Sequence, residues 1–368
     1  MQTPNSYSQS LGPRSALAVC LLLHLTSGNT FAVDRNYDAG ADVFGTPGSN
    51  PTAWGAFENW SPDGVPTSDD TVTFDNNFYQ TLPNVHLGGV NRVANSLYLV
   101  FQPTQGQWRL GANEAGGTGS SATLTLTSGV ISFSDTNNNS VQIIGATSGA
   151  GLLPAATMTL ATEASGFTIY HVDAEAELQI EAVISGAGKT LTKNGAGLLS
   201  ITRASAFTGA TTLGADFDGR NTLNAAVNGA LGGTSSISVD SGASLILSGA
   251  AAFDRIRNEA PITLGGPDYT GIPSLPPAIR RAGGGNEGLG NQVGLGLLTV
   301  TALNAILHYG GDAVANGTLT FADLAVPGDS TLSIRGHHGA FGTATAGIDG
   351  TDDRLIFATD QTSNLPRL

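Results

Sequence analysis

The sequence predicts an all-β chain folded as a solenoid of short stacked strands, and three observations carry that prediction. The first is a phrase that recurs between Gly186 and Gly249: a Gly-x-Gly or Asn-Gly turn, an alternating Thr/Leu run, then another small-residue turn. Lys189-Thr-Leu-Thr-Lys193, Leu198-Leu-Ser-Ile-Thr202, Ser236-Ile-Ser-Val-Asp240 and Ser244-Leu-Ile-Leu-Ser248 are copies of it. The second is alternation itself, which puts Leu199 with Ile201, and Leu245 with Leu247, on one face of a strand and hydroxyl residues on the other. The third is composition: 50 glycines in 368 residues supply tight turns, and only 12% charged residues leave little material for salt-bridged helices. A strand with one apolar face cannot bury it alone, so such strands must stack on neighbours. The 40% apolar fraction separates the chain from disordered sequences.

The stretch Gly186-Ala-Gly-Lys-Thr-Leu-Thr-Lys-Asn-Gly-Ala-Gly-Leu-Leu-Ser-Ile-Thr202, with Phe207-Thr-Gly-Ala-Thr-Thr-Leu213 and Asn228-Gly-Ala-Leu-Gly232, resembles the autotransporter-associated β-strand repeat. That repeat reads as a glycine turn, a Leu-Thr-Lys-x-Gly-x-Gly-Thr-Leu-x-Leu-Thr phrase, a Tyr-Thr-Gly-x-Thr step and an Ala-Leu-Gly turn. The chain departs from it at Arg203-Ala-Ser205 and at Phe207, without changing the pattern of buried and exposed positions. The resemblance implies a right-handed parallel β-helix in an exported bacterial protein, and no reaction.

Along the chain, residues 1–32 read as an export signal. Arg14 supplies the positive region, Ala16 to Leu25 the apolar region and Thr30-Phe-Ala32 a small-x-small cleavage site. The apolar run is too short to span a bilayer, so no integral membrane span is expected after cleavage near Ala32. Leu17-Ala-Val-Cys20 is a poor lipoprotein box, and cleavage removes Cys20, the one cysteine. Residues 33–110 are more aromatic and form an expected N-terminal β module. Within it Asn59 to Phe74 resembles the opening module of proteins with these repeats, and Trp54, Trp60 and Phe74 are expected to cap the exposed first layer. The competing reading makes those aromatics a sugar platform.

Residues 111–266 carry the repeat strands, signalled at Leu124/Leu126, Ile131/Phe133, Val141/Ile143, Met158/Leu160 and Ile262/Leu264. Short gaps, such as Leu191 to Leu199 and Val239 to Leu247, fit successive strands of one turn. A turn of roughly 20–25 residues stacked at about 4.8 Å predicts a rod. Residues 267–292, with Pro273, Pro276, Pro277 and Gly283-Gly-Gly285, interrupt the strands as an expected protruding loop. Strand wording resumes over 293–368, at Leu298/Val300, Leu319/Phe321, Leu332/Ile334 and Leu355/Phe357, and the chain reads as shortened at its C-terminus.

Charge narrows the function classes. A formal charge of −14, with Lys189 and Lys193 the only lysines, disfavours nucleic acid and anionic membranes. Gly188-Lys-Thr190 ends like a phosphate loop, yet Val183 stands where its first glycine belongs and a strand is expected where a helix is required. Gly283-Gly-Gly-Asn-Glu-Gly288 is preceded by Pro277 and Arg280-Arg281 where a dinucleotide fingerprint needs a strand, and it is expected to be a glycine-rich loop.

Asp173, Glu175, Glu177 and Glu181 share a strand face with Gln179. They form either a Ca²⁺ site or a solvated face, and a calcium site gathers oxygens round a point where these lie in a line. Gly347 to Asp353 mixes Gly and Asp like a calcium-binding nonapeptide but occurs once, as a plain turn would. His337 and His338 are strand neighbours pointing opposite ways, and His86, His171 and His308 read as surface or locally bonded residues. No hydrolase triad is signalled.

The expected function is therefore a non-enzymatic structural or passenger β-helix, secreted or held at the outer membrane or cell surface. No catalytic, cofactor-binding or metal-ligating residue is assigned to it. Its expected partners are surface glycans or other cell-surface proteins. The alternative is a carbohydrate-active β-helix enzyme or glycan-binding protein, with Asp69, Asp70, Asp216, Asp218 and Arg220 as the first residues to mutate.

Overall fold

Parallel strands pairing with the strand next but one dominate the computed structural model of this chain. It describes residues 33–38, 53–76, 84–102, 106–113, 121–136, 141–146, 156–172, 176–215, 221–240, 242–248 and 260–265, and beyond these the strands within 279–282, 291–300, 305–308, 318–325, 332–335 and 354–357. The expected signal at residues 1–32, Asp216, Asp218, Arg220, Gly283–Gly288, His337, His338 and the Gly347–Asp353 turn lie outside the described residues.

The chain passes to and fro between two sheets. The larger, of 15 strands, runs through Arg92–Phe101, Ala122–Asp135, Gly166–His171, Thr190–Asn194, Thr211–Leu213, Ile237–Val239, Ile262–Leu264 and Asn291–Val300. The smaller, of 10 strands, runs through Arg109–Gly111, Val141–Ala146, Glu177–Ile180, Gly197–Ile201, Asn221–Ala225 and Ala243–Ser248. Thr190–Asn194 and Gly197–Ile201 are thus consecutive in sequence but belong to different sheets, as the short gap between Leu191 and Leu199 predicts. Registers confirm the stacking: Leu199 lies beside Leu223 and Leu223 beside Leu245, while Leu191, Thr211 and Ile237 form a matching row in the larger sheet. Met158–Thr162 and Val183–Ile184 add a short branch on Ala122–Asp135, through Leu124, Leu160 and Ile184.

Alternation decides which side of each strand is dry. Leu178, Ile180, Leu199, Ile201, Leu223, Leu245 and Leu247 are all buried, and Thr222, Leu198 and Ile246 between them are partly exposed. One hydrophobic core runs continuously from Tyr37 to Leu298, so neither the ladders nor the core break at residue 110.

At the N-terminal end Asp34–Tyr37 pairs parallel with Thr71–Asp75 and antiparallel with Trp60–Ser61. Trp54 is tied to the edge of the smaller sheet by its backbone N–H, which donates to His86 O at 2.9 Å. Trp54 and Trp60 are fully buried, and the Trp60 indole N–H donates to Trp54 O at 2.8 Å. These rings start an unbroken interior row: Trp60 to Phe74 (5.8 Å between centroids), Phe74 to Trp108 (4.7 Å), Trp108 to Phe101 (5.4 Å), Phe101 to Phe133 (6.3 Å) and Phe133 to His171 (4.6 Å). The sugar-platform reading of Trp54, Trp60 and Phe74 is corrected accordingly, because a ring sealed in a core has no face to offer a ligand.

A second correction concerns the interval 267–292. Ile279–Ala282 is a strand inside it, with Ile279 beside Leu245 and Arg281 beside Leu247, and the larger sheet passes directly from Ile262–Leu264 to Asn291–Val300. The stacking therefore continues in register on both sides of the proline-rich stretch.

Close stacking leaves some positions room for glycine alone. Gly145 takes φ +86°, and a Cβ built there would sit 2.2 Å from Ala182 N, in the next layer of backbone. Gly145→Ala is expected to destabilise the protein by about 2–4 kcal/mol, from left-handed strain plus a backbone clash. Equilibrium urea denaturation measures it, and a loss under about 0.5 kcal/mol would contradict the packing described.

Candidate functional site

Where strands of the larger sheet turn toward the smaller one, the interior is polar. The alternation that buries Leu191 also buries Lys193, and that which buries Phe167 and Ile169 buries His171. Lys193 is fully buried, flanked in register by Ile169 and Leu213. Its Nζ donates to Gly195 O at 2.6 Å and to Asn221 Oδ1 at 3.0 Å, with longer contacts to Ala196 O at 3.4 Å and Asn194 O at 3.5 Å. Asn221, equally buried, returns two bonds through Nδ2, to Lys193 O at 3.1 Å and Gly214 O at 2.7 Å. The Asn-Gly-Ala-Gly turn explains the cage: Gly195 and Gly197 take φ +76° and +93°, which turns successive carbonyls inward toward the ammonium.

A similar corner lies toward the N-terminus. Gln142 is fully buried, donates to Asp135 Oδ2 at 2.7 Å and Gly106 O at 3.3 Å, and accepts from Trp108 N at 2.6 Å. These corners satisfy turn backbone that water cannot reach, which is what buried polar groups are required to do.

His171 differs. It is 2% exposed, its ring meets the edge of Phe133, and neither ring nitrogen has a hydrogen-bond partner among the described residues. Burial, helped by the positive charge of Lys193, pulls its pKa down to about 3. His86 is also buried, at 3% exposure, so the surface reading of both histidines is corrected.

The remaining candidates fall into place singly. Asp70 is buried and accepts from Arg35 Nε at 2.8 Å and from Thr67 N at 2.8 Å. Burial works to raise its pKa, but the bonds from Arg35 and Thr67 and the charge of Arg35 outweigh that and hold it below the ordinary carboxylate range. Asp70 therefore staples the first strands together, while Asp69 beside it is exposed. Lys189 Nζ donates to Glu163 O at 3.1 Å and also to Ala164 O, and a strand, Thr190–Asn194, follows it. That arrangement holds a turn, and the element after the glycines is a strand where a phosphate loop has a helix.

Glu177 and Gln179 face outward from Glu177–Ile180, and Gln179 Nε2 donates to Glu181 Oε1 at 2.8 Å. The strand is Glu177–Ile180, and Asp173 and Glu175 lie outside the described residues. His308 ends the strand Ala305–His308. Among the described residues no group of three or more His, Cys, Asp or Glu is placed to hold a metal ion, and no helix is long and apolar enough to cross a membrane.

The fold defines the class: an all-β protein of parallel sheets. Beyond class, no family model, curated protein or solved structure matches the chain.

Two outcomes test the corner. Lys193→Met, which strips the donors from inward carbonyls and from Asn221, is expected to cost about 2–4 kcal/mol in urea denaturation. His171 makes stability depend on acid. Above the ordinary pKa of 6.5 the folded and unfolded chains are alike at this residue. Below it the unfolded imidazole binds a proton that the folded one refuses, so stability falls as pH drops toward about 3, by at most about 1.4 kcal/mol per pH unit. The difference in denaturation midpoint between wild type and His171→Leu, followed from pH 7 to pH 4, is expected to shift in favour of the variant as pH falls. A constant difference would contradict the assignment.

Proposed function

We propose that this chain is an exported, non-enzymatic right-handed parallel β-helix of the autotransporter-associated β-strand repeat kind, displayed at or released from a bacterial cell surface. The observation that carries the reading is the to-and-fro pairing: from Thr190–Asn194 to Asn291–Val300 each strand bonds in parallel to the next strand of its own sheet, with one strand of the other sheet between them in sequence. A right-handed winding is the arrangement that twisted parallel strands favour for such crossovers. The repeat phrase agrees with this geometry. Leu191, Leu199 and Ile201 point inward, while Gly186, Gly188, Gly195 and Gly197 occupy the turns with positive φ. The aromatic group round Trp54 and Trp60, beside the antiparallel strand Trp60–Ser61, acts as the cap of the first layer.

The role is mechanical. Continuous backbone ladders and a dry interior hold the shape, and the outer faces present contact surfaces to glycans or other surface proteins. The residues at the corners serve the fold, since Lys193, Asn221, Gln142 and Asp70 are each spent on hydrogen bonds to neighbouring chain.

Expression of the coding sequence in a Gram-negative host is expected to place the product outside the inner membrane with an N-terminus at or near Val33, read by Edman sequencing. Incubation with acidic and neutral polysaccharides is expected to yield no new reducing ends or unsaturated products. Cytosolic retention would overturn export, and turnover lost in Asp69→Ala or Asp216→Ala would overturn the non-enzymatic reading.

A further inference from the structure

The outward face of the larger sheet is mostly small hydroxyl residues, with one exception. Among the described residues the exposed large hydrophobics are Phe57, Val90, Tyr98, Tyr170 and Val172, and three of the five share one area of this face. Tyr98 is paired in register with Ser132, and Ser132 with Tyr170. The row continues to Thr73 on one side and Asn194 on the other. Tyr98 is 38% and Tyr170 45% exposed, and Val172, following His171 beside the same strands, is 52% exposed.

Register fixes the spacing. Two neighbouring strands lie about 4.8 Å apart, so the two tyrosines, with one strand between them, stand about 9.6 Å apart along a straight row. Both side chains leave the same face of the sheet, since strand partners in register point the same way. Between and beside them Ser132, Ser134, Val100 and Asn194 are small or amphipathic and uncharged. In a chain of formal charge −14 this is a neutral strip, with Asp75, beside Val100, at its end.

We propose that this strip, centred on Tyr98, Ser132 and Tyr170, is a docking face for an uncharged, extended β-1,4-linked polysaccharide. In such a polymer every second ring presents the same face, and its two-sugar repeat is commensurate with two strand spacings, so alternate sugars stack on Tyr98 and Tyr170. The intervening sugar lies over Ser132, whose hydroxyl and that of Thr168 on the adjoining row meet sugar hydroxyls. Tyrosine suits this role because its ring is apolar and its hydroxyl stays hydrated. The absence of charge selects against polyanions, which would approach an acidic chain without a compensating cation. The inference concerns the purified protein's outer face and does not depend on export, so the experiment below can fail while the reading above stands.

Isothermal titration of the folded protein with cellohexaose and chitohexaose, against cellobiose and oligogalacturonate, tests it. At least one neutral hexasaccharide is expected to bind, more tightly than the disaccharide, and oligogalacturonate is not. Tyr98→Ala or Tyr170→Ala is expected to weaken hexasaccharide binding by about tenfold, to the level of the disaccharide, whereas Tyr170→Phe retains it. Ser132→Glu, which leaves both rings in place and puts a charge between them, is expected to abolish binding and covers the case in which an alanine variant does not fold. The proposal is overturned if neither neutral hexasaccharide binds, if oligogalacturonate binds better, or if Ser132→Glu binds as wild type does. It is also overturned if the tyrosines instead drive self-association without sugar, which would make the strip a contact between copies of this chain.

Discussion

Everything in this molecule depends on one requirement: a strand that is apolar on a single side must find cover for that side and hydrogen bonds for its backbone at once. Parallel pairing with the strand next but one supplies the bonds, and the opposing sheet supplies the cover. Once Leu199 is stacked between Leu178 and Leu223, the parity of each strand is settled, because a slip by one residue would turn every inward side chain out. That is why short strands such as Thr211–Leu213 and Ile237–Val239 hold their place although each contributes only two inward residues.

The same requirement explains polar residues in the core. At a corner the backbone leaves the ladder and its carbonyls lose their partners inside a dry space, so a buried donor there is worth more than another leucine. Lys193 fills that role with a flexible stem that packs beside Ile169 and Leu213 and an ammonium that reaches the turn. Asn221 closes the arrangement by giving as well as accepting. Desolvating the charge is expensive, and it is offset only because several acceptors converge on it.

Much of the fold was legible in the sequence. Leu/Ile alternation located the inward faces at Leu199, Ile201, Leu245 and Leu247, and the glycine phrases located turns with positive φ. The inward placing of Lys193 and His171 was legible in the same alternation, since each stands two residues beyond a buried aliphatic, although His171 read as a surface or locally bonded residue. Parity was the stronger signal, because the ladder leaves a side chain no choice of face. Alternation over Glu177 to Ile180 matched the strand, with Leu178 and Ile180 inward and Glu177 and Gln179 outward. Ile279–Ala282 was missed because two arginines and preceding prolines hide a four-residue strand whose place is dictated by Leu245 and Leu247 next to it. Handedness is absent from such patterns altogether, since a mirror-image winding would show identical alternation.

The interior row of rings has an optical corollary. Trp54, Trp60 and Trp108 are the only three tryptophans of the chain, all sit at its N-terminal end, and they are in contact with one another or with Phe74 between them. Indole emission therefore reports on that end alone, while backbone circular dichroism averages over every layer. Because layers joined only to their neighbours can fray from one terminus inward, the two signals need not move together on heating. The chain thus carries a built-in local gauge of which extremity lets go first.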